Sequence, residues 1–82
     1  MTEKEAMIGT VVKSNRDFEG VPKGTEGLID ERYEGGVMVA WDLPHRRIPK
    51  GWKYTGQWAV EQGVPLRDGF GVDELRFLDL VL

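Results

Sequence analysis

The sequence predicts an all-β fold: one small domain built from short strands. Three observations carry this expectation. Glycine supplies 11 of the 82 residues and is spread along the chain, which favours many tight turns over long helices. Several short stretches are rich in β-branched and aromatic residues that alternate at a period of two. Between two of these stretches, GLIDERY and VMVAWD, stands a Gly-Gly pair that reads as a hairpin turn.

Taken in order, the elements are as follows. Thr2 and Glu5 have the spacing of a capping box, but residues 1–6 are expected to be a flexible N-terminus. MIGTVVKS (7–14) is the first expected strand, with Ile8, Thr10 and Val12 on one face. NRDFEGVPKG (15–24) reads as a loop of turn-forming residues. Phe18 in its middle is too apolar for a free loop and is expected to fold back over one end of the core. A strand then starts at Thr25, with Gly27 inside it to allow a sharp bend or a close backbone crossing. Gly35-Gly36 is expected to turn the chain with positive φ angles. VMVAWD (37–42) returns with Val37, Val39 and Trp41 on one face. Residues 43–69 read as a long insertion carrying three prolines and four glycines, in which only QWAVEQ (57–62) suits a short strand or helical turn. Its aromatics, Trp52, Tyr54 and Trp58, argue against disorder. Asp73-Glu74-Leu75 is expected to be a tight turn, and Arg76 to Leu82 a closing strand with Phe77 and Leu78 on opposite faces.

Composition sets outer bounds. The chain is long enough for one domain, and its core must be compact. It has no cysteine, which excludes a disulfide framework and a thiolate zinc site. No apolar run approaches the roughly 18 residues of a membrane span. The N-terminus lacks the basic-then-apolar order of a signal peptide, so a cytoplasmic protein without membrane contact is expected.

With these elements in place, the chain resembles the Src-homology-3-like small β-barrel. More narrowly, it resembles uncharacterised small bacterial domains of that class, which share the patterns G-x-x-V, P-x-G-T-x-G-x-V, V-x-W-D and L-x-x-L. The matching residues are Gly9 and Val12; Pro22, Gly24, Thr25, Gly27 and Ile29; Val39, Trp41 and Asp42; and Leu75 and Leu78. The match spans residues 8–42 and 70–80. The resemblance implies a five-stranded barrel, with 43–69 as a long insertion before the last turn and strand. It implies no single function, because the class includes ribosomal and transcription factors, chromatin readers, peptide binders and a few enzymes. One such enzyme, a plasmid-encoded dihydrofolate reductase, lines its pore with Val-Gln-Ile-Tyr. That motif is absent here, and its activity is not carried over.

The strongest candidate site is HRRIPKGWKYTGQW (45–58). From Leu43 to Val60 there are four basic residues, Arg46, Arg47, Lys50 and Lys53, and no acidic one. The rest of the chain holds the other seven of the eleven basic residues against all fourteen acidic ones, a balance of −7. A basic aromatic segment therefore lies on an acidic body. The reading adopted is a non-enzymatic interaction or adaptor module. Trp52, Tyr54 and Trp58 would anchor a protein partner beside Phe18, with Arg46, Arg47, Lys50 and Lys53 as the polar rim. An alternative uses the same residues for nucleic acid, with cations on phosphates and indoles under bases. A bland reading also stands, in which the tryptophans pin the loop and the cations pair with the acidic body. A third possibility is a small-molecule site or enzyme formed at an oligomer interface, and exposed strand edges allow a homodimer.

Other residues suggest little chemistry. His45 is the lone histidine, has no second His or Cys for a metal, and is expected to be an exposed loop residue. Asp30 and Glu31 should face opposite sides of a strand, and the carboxylates Asp30, Glu31, Glu34, Asp73 and Glu74 read mainly as solvated. Asp42 is expected to form a turn. No phosphate-cradling glycine motif is present. No cofactor is expected.

Overall fold

The regular structure of the computed structural model, which describes residues 1–53 and 65–82, consists of five strands and one short 3₁₀ helix. The strands are β1 (Val11–Ser14), β2 (Glu26–Tyr33), β3 (Gly36–Trp41), β4 (Arg67–Gly71) and β5 (Leu78–Leu80). The 3₁₀ helix, Val72–Phe77, joins the last two. The sheet runs in the order β4-β3-β2-β1-β5, with every pairing antiparallel, and curls into a half-barrel. Among the described residues no helix is long and apolar enough to cross a membrane.

Alternation decides what the concave face buries. Val37, Val39 and Trp41 project from β3 as expected, joined by Val12 from β1, Ile29 from β2, Phe70 from β4 and Leu78 from β5. Trp41, Ile29, Val39, Val12 and Leu78 are fully buried. Each side chain of this size stabilises the fold by about 1.5–3 kcal/mol. Phe18 does fold back from the β1–β2 loop. Its ring lies 5.5 Å from that of Phe70 and 6.3 Å from those of Trp41 and Phe77. Gly27 lies directly under β3. A Cβ there would stand 2.6 Å from Val39 Cγ1 and 2.8 Å from Trp41 Cε3, so the missing side chain makes room for core side chains.

Several expected boundaries move. The first strand begins at Val11, not Met7. Gly9 takes a φ of 95°, which breaks the extended run and turns Ile8 outward to 65% exposure, off the face it was expected to share with Val12. The hairpin turn is Glu34-Gly35, and Gly35 has no positive φ. Gly36 instead opens β3 and is packed against the Phe70 carbonyl, where any Cβ would collide. β4 begins at Arg67, inside the stretch read as insertion. At the C-terminus, Arg76 and Phe77 belong to the 3₁₀ helix, and the closing strand is only Leu78–Leu80. Glu74 fixes that helix by accepting a hydrogen bond from the Gly71 N–H at 2.9 Å. Phe77 packs against the core along with Leu78 rather than facing away.

Of the first six residues, expected to be a flexible N-terminus, Met1 and Ala6 pack against the sheet, while residues 2–5 are exposed. The terminal ammonium donates to the Leu75 and Leu78 carbonyls at 3.1 and 2.9 Å, and Ala6 is buried.

Candidate functional site

Of the eight residues expected to form one surface, the structure describes six. Tyr54 and Trp58 lie outside the described residues. The six do not form a single patch.

Phe18 belongs to the first region. The β1–β2 loop and the turn after β3 approach each other because Leu43 and Arg46 form an isolated backbone bridge that turns the chain sharply. Between them lies an open apolar groove of about 510 Å³, lined by Asp17, Phe18, Val21, Pro22, Pro44 and His45, among others. The loop side is rigidly held. Phe18 and Val21 exchange two backbone hydrogen bonds, at 2.8 and 2.9 Å, and Asp17 Oδ1 accepts the Lys23 N–H at 2.6 Å. His45 is exposed, as expected for a loop residue.

Arg46 and Arg47 follow at once. Arg47 is paired with Asp42 at 3.0 Å, and Asp42 Oδ1 also accepts the Ile48 N–H at 3.0 Å. Asp42 thus organises the turn through both carboxylate oxygens, which is the role expected of it. With 69% of its side chain exposed, Arg47 gains little stability from this pair, on the order of 0–1 kcal/mol. Lys50 and Lys53 are exposed.

Trp52 and Lys53 occupy a second region, on the outer face of the sheet. There they line a groove of about 430 Å³ with Ile8, Leu28, Ile29 and Asp30. Trp52 is half-buried, and its Nε1 donates to Asp30 Oδ2 at 2.8 Å. The indole is therefore fixed to the barrel, in line with the bland reading of this residue.

Asp30 corrects the expectation of a solvated carboxylate. Its side chain is 1% exposed. The register between β2 and β3 slips at this point: Ile29 pairs with Val39 and Glu31 with Met38, leaving Asp30 as the extra residue of a β-bulge. The bulge lets Asp30 and Glu31 converge, where strict alternation would send them to opposite faces. Both meet Arg67. Arg67 Nε and Nη2 donate to the two Asp30 oxygens at 2.8 Å each, and Nη2 also reaches Glu31 Oε1 at 3.1 Å. Tyr33 completes the chain by donating its hydroxyl to Glu31 Oε1 at 2.9 Å.

The electrostatics follow from this geometry. Burial acts to lower the pKa of Arg67, but its hydrogen bonds to Asp30 and Glu31 outweigh that and raise it. The Tyr33 hydroxyl is also pushed up, first by desolvation, then by its hydrogen bond to Glu31 and by that carboxylate's charge. A guanidinium held by two carboxylates is a rigid strut, not an acid–base pair poised for proton transfer. Among the described residues, no group of three or more His, Cys, Asp or Glu side chains could hold a metal ion.

The cluster of Asp30, Glu31, Arg67 and Tyr33 was missed in the sequence. The one available signal is the change of pattern after Leu28-Ile29, where two acids follow an apolar pair and break the alternation. Arg67 was hidden because it opens a strand with a charge.

Comparison with protein-family models, with curated proteins and with solved structures gives no match.

Proposed function

We propose that this protein is a non-enzymatic interaction module of the Src-homology-3-like barrel type, and that it docks a protein partner in the groove between the Phe18 loop and the Pro44-His45 turn. The fold reading rests on strand order: a five-stranded antiparallel meander whose last two strands are joined by a 3₁₀ helix and whose final strand returns to pair with the first.

One observation carries the functional reading. The two segments expected to build the contact surface, around Phe18 and after Asp42, line one apolar groove. An apolar groove backed by an aromatic anchor suits an extended protein segment. Arg46 and Arg47 follow its His45 edge in sequence. Trp52 and Lys53 stand apart from this groove, in the one beside Asp30, where the Trp52 indole is bonded to Asp30.

The test is selection of a random peptide library on the full chain, followed by mapping of amide shifts with the selected peptide. The reading expects shifts over residues 17–22 and 43–47, and at least a tenfold loss of affinity in Pro44→Asp, about 1.4 kcal/mol. A single-stranded oligonucleotide added in parallel separates the alternative. Shifts over 45–53 that fade steeply with salt would replace the protein-binding reading with nucleic-acid binding.

A further inference from the structure

The sequence holds no cysteine, so its oxidisable sulfurs are the thioethers of Met1, Met7 and Met38. Their settings differ. Met1 is half-buried and packs against the core. Met38 is half-buried too, with its sulfur lying over Gly69 of the neighbouring strand. Met7 is 52% exposed.

Met7 is also bound in a way that favours its oxidised form. Arg32 Nη1 donates to the Met7 sulfur at 2.8 Å and to the Ala6 carbonyl at 3.0 Å. Among the described residues Arg32 takes part in no ion pair. A guanidinium suited to charged oxygens is thus held by two neutral acceptors, of which the thioether is the weaker. This clamp ties residues 6–10 to β2. It works beside two backbone hydrogen bonds, from the Gly9 N–H to the Ile29 carbonyl at 2.8 Å and from the Thr10 N–H to the Met7 carbonyl at 3.0 Å. Ile8 and Gly9 of the clamped segment line the groove beside Asp30.

We infer that Met7 is a reversible oxidation site and that Arg32 holds the sulfoxide formed there. The oxidant class is a peroxide. A sulfur lone pair attacks one oxygen of hydrogen peroxide, the S–O bond forms and the O–O bond breaks. Sulfur gives up two electrons and the peroxide is reduced. The proton on the transferred oxygen passes to the departing hydroxide, which leaves as water. The product is a polar sulfoxide, and its oxygen is a far better acceptor than the thioether. The flexible side chain lets that oxygen turn toward Arg32. Sulfoxide formation disrupts a methionine packed in a core. The exposed Met7 sulfur has no core to leave, and oxidation tightens the clamp instead. A sulfoxide reductase restores the thioether.

The test treats the full chain with hydrogen peroxide and follows each methionine by peptide mass spectrometry. Met7 should be oxidised about tenfold faster than Met1 and Met38. Amide exchange is then read at Gly9 and Thr10. Both should slow about fivefold in the oxidised chain, the gain expected of one better hydrogen bond. Arg32→Leu should abolish the slowing, and Met7→Leu should make exchange at both amides indifferent to peroxide. Oxidation of Met1 or Met38 as fast as Met7 overturns the site. Exchange that is unchanged or faster in the oxidised chain, or that slows equally in Arg32→Leu, overturns the part given to Arg32. None of these outcomes bears on the groove beside Phe18, whose test reads residues 17–22 and 43–47.

Discussion

Trp41 and Trp52 make the same hydrogen bond in two different settings. Each donates its indole N–H to a carboxylate at 2.8 Å, Trp41 to Asp68 and Trp52 to Asp30. Trp41 sits on a central strand, fully buried, with the Phe70 ring 6.0 Å away and Gly27 beneath it. Trp52 rides on a connection that reaches it through local turns: Leu43 to Arg46, Ile48 N–H to Asp42, and Trp52 N–H to the Pro49 carbonyl. The contrast teaches that a buried tryptophan's worth lies in its packing and not in its polar contact. Trp41 holds the barrel together, whereas Trp52 fastens a strap to its outside.

The largest expected effect follows from that asymmetry. Trp41→Ala should cost about 4 kcal/mol through the cavity alone, a large part of the stability of any small domain. Urea unfolding should show the midpoint collapse, and a loss below 2 kcal/mol would erase the distinction between the two sites. Asp30→Ala comes next. It leaves Arg67 partly buried without its main partner and also frees Trp52, at about 3–5 kcal/mol by the same measurement. Trp52→Phe is smaller: it keeps most of the ring but removes the donor, for about 1 kcal/mol with an unchanged urea slope. A cost as large as that of Trp41→Ala would mean the strap is part of the core.

The smallest effect is a titration. Because folding raises the Tyr33 pKa above its ordinary value of 10.0, the unfolded chain releases this proton first. Stability from this group is therefore fully present below pH 10 and falls as pH rises through the folded value. NMR titration of ring-labelled tyrosine should place Tyr33 on the alkaline side, and Glu31→Gln should bring it back toward normal. No change in Glu31→Gln would remove Glu31 as a cause of the shift.

Much of the inner barrel was legible in the sequence, because alternation at Val37, Val39 and Trp41 and the glycine at 27 act locally. The hairpin between β2 and β3 was legible to within one residue. The start of β4 was not: Arg67 and Asp68 read as loop, and they belong to a strand because their backbone pairs with Ala40 and Val39 of β3, far away in sequence, a pairing their side chains support through Asp30 and Trp41. A bulge at Asp30 is equally non-local, since register is a property of two strands. The candidate surface was half legible. Phe18 and the turn after Asp42 line one groove, but composition carried no sign that Trp52 would lie in another, beside Asp30.

Exchange of the indole N–H protons with solvent, followed by NMR with Trp52→Phe for assignment, tests the central contrast most directly. The account predicts that Trp41 Nε1–H exchanges only through global unfolding. Trp52 Nε1–H should be protected yet exchange much faster, through release of the strap, and should lose its protection in Asp30→Asn while Trp41 keeps most of its own. Equal protection of the two indoles, or no protection of Trp52 at all, would contradict it.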